Sequence, residues 1–364
     1  MTTRDRMLSV YRNQMPDQLP VGIYTRFLQR GRFERDCRAL GVGLFDCVPV
    51  ISLMAPLWHV LDGYVSEVRN ARFKTQYDWQ KGETVITHEY ETPAGKASRS
   101  SSAARETHSE WITKYYIQTA ADYDAVQYLV ENTVFTTRHE EFRQRVADMG
   151  DDGVVIARID RSGYQKLIIE LGDPQQVMID LYTQPEKPER LIQTLNRRLE
   201  EQFELVLASP AEVIWQPENV SADMTPPDLF RKYCLPVYQK FAERARQAGK
   251  VYIVHMDGRL KAIKDLIAQS SIQVIESFSL PEMANDLALT DARKAWGTSV
   301  ICPNFPAALC DRSESEIAAR LDALVKDMGA DTPFMLAVSE DLPQEAYPRI
   351  MPMLARYFQR NRKA

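Results

Sequence analysis

From about residue 150 onward the chain repeats one pattern, a short apolar run followed by an amphipathic stretch of helical period. "DDGVVIARI" leads into "YQKLIIELG" and then "PEKPERLIQTLNRRLEEQFELVLAS". "AEVIWQ" leads into "PPDLFRKYCLPVYQKFAERARQAG", "KVYIVHMDG" into "RLKAIKDLIAQS", and "IQVIESF" into "LALTDARKAWG". "TSVICPNFP" is followed by "SESEIAARLDALVKDMG", and "TPFMLAVSEDL" by a last helix. Strand–helix units of about 25–45 residues require parallel strands joined by helical crossovers. At least six such units, with two more upstream, predict a closed (β/α)8 barrel of the TIM type. A doubly wound open sheet is the competing arrangement, but no glycine-rich fingerprint follows any of the runs.

The part before the repeats, roughly residues 1–150, is less regular. "RFLQRGRFERDCRAL" predicts a helix and "GLFDCVPVIS" a strand. "GYVSEVRNARFKTQYDW", "ETVITHEYETPAG" and "KASRSSSAARE" predict β-hairpins, with Pro93 and Gly95 supplying a turn. The expected organisation is a single barrel domain over 1–364, in which 1–110 is an irregular N-terminal extension carrying the hairpins and 111–364 is the β/α core.

Composition removes several classes of function. With 45% hydrophobic residues the chain can bury a sizeable core. A formal charge of −5 and the lack of any Lys/Arg block argue against nucleic acid or an anionic membrane as the main partner. The start, "MTTRDRMLSVYRNQMP", scatters charges where a signal peptide needs an apolar core. No stretch approaches the roughly 18 apolar residues of a membrane span. Five cysteines (Cys37, Cys47, Cys234, Cys302, Cys310), odd in number and without a CxxC, fit a reducing cytoplasm.

In a barrel the catalytic residues belong at the C-terminal ends of the strands. Those ends supply Glu218, Asn219 and Asp223, then His255 and Asp257, Glu276, Cys302 with Asn304, and Glu340 with Asp341. "YIVHMDG" is the most informative stretch, because residues i and i+2 of a strand point the same way and Gly258 frees the chain to turn. His255 and Asp257 therefore project together, which suits a metal, a proton or a structural hydrogen bond. Cys302, between Ile301 and Pro303, also suits a small buried apolar role. Several carboxylates buried on one rim without a cation would cost several kcal/mol per unpaired charge. Either they lie in solvent, or a metal or the chain's own basic residues sit among them.

The chain resembles the uroporphyrinogen decarboxylase superfamily over most of its length from about residue 110. "ENVSADMTPPDLFRKYCLPVYQKFAERARQAGKVYIVHMDGRLKAIKDLIAQSSIQVIESF" is similar to the family's strand, "P-x-L-F…LP" helix and "H-x-x-G" strand end. "ARKAWGTSVICPNFPAAL" resembles its "wG…GN-x-x-P-x-x-L" segment, and "RSGYQKLIIELGDPQQVMIDLYTQPE" the helix and loop before the long crossover. "YYIQTAADYDAVQYLVEN" and "YETPAGK" look like the branch of corrinoid-dependent methyltransferases more than the true decarboxylases. The resemblance implies the (β/α)8 barrel. It also sets decarboxylation of a tetrapyrrole or other polycarboxylate beside methyl transfer. "RFLQRGRFERD" keeps Arg26, Arg30, Arg32 and Arg35 where decarboxylases have an arginine-rich loop, but their late histidine falls near Glu340 and their tyrosine on apolar residues near Leu167 or Ile168.

The methyltransferase branch binds zinc through His-x-Cys on one strand and a Cys on the last, with a Glu between them in some relatives. Carried over, this implies His255 as a ligand, Asp257 and Glu340 in place of the two cysteines, Glu276 as an additional ligand, and Cys302 as a further candidate. Both sulfurs thus become carboxylates, which makes Zn2+ or another divalent metal a harder Lewis acid suited to polarising an ether or alkoxide oxygen. The implied activity exchanges a methyl group between an oxygen-type (methoxy) substrate or other methyl carrier and a corrinoid carried by a partner protein, with Asn219, Asp223 and Glu276 serving the chemistry. The expected partners are a corrinoid-binding protein and a small-molecule methyl donor or acceptor. "ISLMAPLWHVLDGY", residues 51–64, is a candidate lid or docking segment, although Leu53, Met54, Leu57 and Trp58 also suit the core or a homodimer contact.

Overall fold

The computed structural model describes residues 1–56, 65–80, 83–104 and 110–360. Eight parallel strands form one sheet: β1 (Val21–Tyr24), β2 (Gly43–Pro49), β3 (Gly153–Arg158), β4 (Val213–Gln216), β5 (Val251–His255), β6 (Val274–Phe278), β7 (Val300–Pro303) and β8 (Leu336–Val338). Their order in space is β7-β6-β5-β4-β3-β2-β1-β8, and a parallel bridge from Asn304 to Ala337 joins the two ends. This is the closed (β/α)8 barrel. Strands β4 to β8 are buried at every residue, as covered parallel strands must be, and so they read as continuous apolar runs.

Two compact units divide the chain. The first, 1–48, 140–158 and 210–364, holds all eight barrel strands apart from Pro49 at the end of β2. Its crossover helices follow from local chemistry. Glu314–Met328 starts at Ser313 and Glu316, whose side chains cap each other's backbone, buries Ile317, Leu321, Leu324 and Met328 along one stripe, and stops at Gly329 with φ 79°. Gly153 opens β3 against β2 because a Cβ there would lie 1.9 Å from the Leu44 carbonyl oxygen.

The second unit, 49–139 and 159–209, carries an antiparallel sheet of Arg72–Gln80, Glu83–Thr92, Gly95–Ala104 and Glu110–Lys114. Thr92 pairs with Gly95, so the turn at Pro93 and Ala94 lies where the sequence places it, with Gly95 at φ 125°. The fourth strand, "EWITK", carries no turn signal of its own and was not legible from the sequence. The unit also holds a two-stranded pair, Glu67–Val68 with Thr133–Val134, three helices, Tyr123–Glu131, Pro174–Thr183 and Glu186–Leu207, and a helical turn at Gly163–Lys166 that widens into a π turn at Leu167–Leu171. In that turn Lys166, fully buried, bonds Asp160 at 2.7 Å and Glu170 at 2.9 Å, and Arg161 Nε donates to Glu170 at 2.8 Å.

Two differences from the sequence reading have physical causes. "RFLQRGRFERDCRAL" is not one helix. A 3-10 turn, Thr25–Phe27, is separated from the helix Arg32–Ala39 by Gly31 at φ 100°. In 51–64, Leu53 and Met54 are buried in the second unit, while Leu57, Trp58 and the rest of 57–64 lie outside the described residues. Among the described residues no helix is long and apolar enough to cross a membrane.

Candidate active site

His255 is the last residue of β5 and is 5% exposed. Its register partner on β6 is Glu276, which is in turn opposite Cys302 on β7. Glu276 is buried, and its Oε2 receives three hydrogen-bond partners: Tyr24 O–H at 2.9 Å, Trp215 Nε1–H at 3.0 Å and His255 Nδ1 at 2.7 Å. Trp215 can only donate, and the proton lying between Nδ1 and Oε2 is assigned to the ring nitrogen, which then donates to the same oxygen. Nε2 of His255 is on the opposite edge of the ring, where it donates to acids when the imidazole is charged and offers a lone pair to a metal when it is neutral. It lies 3.5 Å from Asp257 Oδ2 and 3.7 Å from Glu340 Oε1.

The loop after β4 is stitched onto the exit of β5. Asn219 N–H donates to the His255 carbonyl at 3.1 Å, and its side-chain Nδ2 donates to Asp257 Oδ2 at 2.9 Å. Asn219 holds φ at 50°, a left-handed conformation that Asn tolerates better than most residues. Gly258 has a different role from the free turn suggested by the sequence. Its N–H reaches the Val220 carbonyl at 3.2 Å, and a Cβ would lie 2.4 Å from that oxygen. Glycine is required by close approach of the two loops.

A bulge in β6 brings Glu340 into the same group. Ser277 has φ 63°, and the register with β7 shifts between Glu276 and Phe278. In a regular strand Glu276 and Ser277 would face opposite sides. Here Glu276 bonds His255 while Ser277 Oγ lies 2.8 Å from Ser339 Oγ and donates to Glu340 Oε1 at 3.3 Å. Asn304 Oδ1 fixes Ser339 from the other side, accepting from its N–H at 3.0 Å and its hydroxyl at 2.9 Å.

The electrostatics of the cluster are set by three acids around one imidazole. Burial opposes charge on His255, but Glu276 and Asp257 outweigh it and hold the imidazole well above its ordinary pKa. Burial likewise raises Asp257, yet the charge of His255 and the hydrogen bonds from His255 and Asn219 bring it below the usual carboxylate value. Glu340 is raised by burial and by its neighbours Asp257 and Glu276, against His255 and Arg26. Among the described residues, the ion pairs of Asp257, Glu276 and Glu340 run to His255 alone. One nitrogen or oxygen each from His255, Asp257 and Glu340 lies within 4.8 Å of the other two. A nitrogen and two carboxylate oxygens, with no ion pair to an arginine or lysine among the described residues, are a donor set that fits zinc with one position left open.

The other residues singled out from the sequence are placed as follows. Asp223 is 60% exposed, 3.8 Å from Arg259 Nη1 and accepting from Ser221 at 3.4 Å. Cys302 is fully buried, and burial with the nearby Glu276 charge pushes its thiol up to about 12. Glu218 accepts from Tyr238 in the core, and Asp341 accepts from Tyr347 at 3.3 Å. Arg30 and Arg32 are exposed and pair with Glu34 and Asp36 on their own helical segment, while the Arg26 guanidinium stacks over Phe27. Tyr24, Trp215, Ser277 and Ser339 were missed. The only available signal was their position at strand ends or inside apolar runs, which does not separate them from core residues.

The family model for uroporphyrinogen decarboxylase (URO-D) matches residues 167–360, just over half of the chain. No curated protein sequence matches. Among solved structures, a methyltransferase from Methanosarcina mazei is similar over 99% of both chains at 14% identity and a TM-score of 0.59, a likeness of fold. A structure of the tandem GH20 catalytic modules in the pneumococcal exo-β-D-N-acetylglucosaminidase covers 99% of this chain and 88% of its own at 10% identity, but with a TM-score of 0.41 it carries no weight. The β/α core and the matched span agree, and the chain belongs to the uroporphyrinogen decarboxylase family.

Proposed function

We propose that the chain is a methyltransferase of this family, moving a methyl group between an oxygen-type (methoxy) substrate or another methyl carrier and a corrinoid held by a partner protein. The observation that carries the proposal is the meeting of His255, Asp257 and Glu340 at the C-terminal ends of β5 and β8, with no sulfur among them. Those three residues would hold Zn2+ or another divalent metal, which when bound supplies Lewis-acid polarisation of a substrate oxygen. Asn219 keeps Asp257 turned toward His255 through its 2.9 Å hydrogen bond. Ser277, itself fixed by Ser339 and Asn304, steadies Glu340. In the proposed reaction the methyl group passes between a small molecule and the partner's corrinoid, so this chain needs no nucleophilic side chain, and the protonated, buried Cys302 supplies none.

Decarboxylation of a tetrapyrrole or other polycarboxylate is the second reading, favoured by the description of the matching family. It calls for arginines facing a substrate, whereas Arg30 and Arg32 are engaged with neighbouring acids. Elemental analysis of wild type beside His255→Ala and Glu340→Ala separates the two. Near-stoichiometric zinc, lost in both variants, together with methyl transfer to or from an added corrinoid protein supports the proposal. Wild-type protein that stays metal-free when zinc is supplied, yet decarboxylates a porphyrinogen, replaces it with the second reading.

A further inference from the structure

The family resemblance counts Glu276 as a metal ligand, and the geometry points to another role. We infer that Glu276, braced by Tyr24 and Trp215, stands outside the ligand shell and is the positioning residue that fixes which nitrogen of His255 meets the metal. This rests on the metal site proposed above.

The two ring nitrogens of an imidazole point to different edges. Glu276 occupies the Nδ1 edge at 2.7 Å, while Asp257 and Glu340 gather at Nε2. A zinc ion takes its ligands at about 2.0–2.2 Å. An ion on Nε2 with Asp257 and Glu340 is thus on the far side of the ring from the carboxylate that holds Nδ1. Glu276 is also absent from the set whose donor atoms lie within 4.8 Å of one another.

Its own bonding explains why it stays there. Oε2 accepts from β1 through Tyr24, from β4 through Trp215 and from β5 through His255, so three strands of the barrel hold one oxygen. Oε1 is buried without a hydrogen-bond partner among the described residues. Oε2 thus takes the hydrogen bonds of all three strands, and the one to His255 holds the Nδ1 edge of the ring. His255 is then fixed in tautomer and orientation, and a fourth coordination position stays open for substrate.

Zinc affinity by chelator competition and long-range 1H–15N spectra of the zinc-loaded protein test this. Only five histidines are present, so the His255 signals are identified by their loss in His255→Ala. In wild type His255 is expected to be metal-bound at Nε2 and protonated at Nδ1. Glu276→Gln should weaken zinc binding about 10–100-fold, the range for loss of an outer partner of a ligating histidine. Tyr24→Phe removes one brace without touching the carboxylate, and should weaken it in the same direction by less. With cobalt(II) as the probe, the coordination number should be the same in wild type and Glu276→Gln. Metal on Nδ1, unchanged affinity in a folded Glu276→Gln protein, or a ligand lost from the cobalt spectrum in that variant would each overturn the inference while leaving the metal site standing. Wild type that takes up no zinc overturns the site and the inference together.

Discussion

Replacing Lys166 by methionine tests whether the second unit contains a closed charge network rather than a solvated one. The ammonium is fully buried, 2.7 Å from Asp160 Oδ1 and 2.9 Å from Glu170 Oε2. Methionine keeps most of the volume and removes the charge, so the perturbation is electrostatic. Breaking a buried pair by removing one partner costs about 3–5 kcal/mol. The lower end applies here, because Asp160 keeps hydrogen bonds from Gln202 at 2.9 Å and Met54 N–H at 2.8 Å, and Glu170 keeps Arg161 at 2.8 Å. Urea unfolding followed by both circular dichroism and tryptophan fluorescence gives the number if the two probes coincide. Burial alone would lower the Lys166 pKa, but Asp160 and Glu170 outweigh it and raise it above the ordinary value. A raised cation contributes in full below its unfolded pKa of about 10.4, so the loss should be the same from about pH 6 to 9. A double-mutant cycle with Glu170→Gln should return a coupling of about 1–3 kcal/mol. A loss below about 1 kcal/mol, typical of an exposed pair, would refute the dry network.

Other outcomes follow from single contacts. Asn219→Gly keeps the left-handed backbone but loses the bond to Asp257, so zinc affinity should fall about tenfold while the unfolding midpoint barely moves; Asn219→Ala should also lose about 1 kcal/mol of stability to backbone strain. Cys302, with its thiol at about 12 and no exposure, should resist a disulfide reagent at neutral pH until urea unfolds the chain, and Cys302→Ser should retain its zinc; rapid labelling of the native protein would place the sulfur in reach of solvent. Arg6, through its hydrogen bonds to Asp17, lowers that carboxyl to about 2. A depressed carboxylate stabilises above its unfolded pKa and loses that contribution as pH falls toward 2, so Asp17→Asn should matter at pH 7 and not at pH 2. With Asp17 42% exposed, the effect should stay below about 1 kcal/mol in thermal melts, and a larger one would mean the pair is better shielded than its exposure implies.

The barrel and the His–Asp pair were legible because both depend on short-range rules. Buried parallel strands show as apolar runs whatever they pack against, and Asp257, just past the end of β5, lies too few residues from His255 to be far from it, although the strand period that suggested the pair stops at His255. Residue type and strand-end position also picked out Glu340 and Glu276, and the spacing of Pro93 and Gly95 gave the hairpin turn. The sequence could not rank Asp223 below Asn219, since both lie in the same loop and differ only in where that loop is pinned. The charges in "YQKLIIELG" likewise gave no sign of meeting Asp160 and Arg161 in the interior.

The amino-acid order by itself determined the strands and crossover helices of the β/α core, and which acids and imidazole stood at the strand ends. The division of roles among them came only from the closed barrel. Tyr24 reaches Glu276 across 252 positions of chain, and Trp215 reaches it across 61. The bulge at Ser277 turns two consecutive side chains into one site, and the approach of Val220 makes Gly258 obligatory. Local propensity acts over a few residues, whereas a hydrogen bond between β1 and β6 exists only after the sheet has curved back on itself.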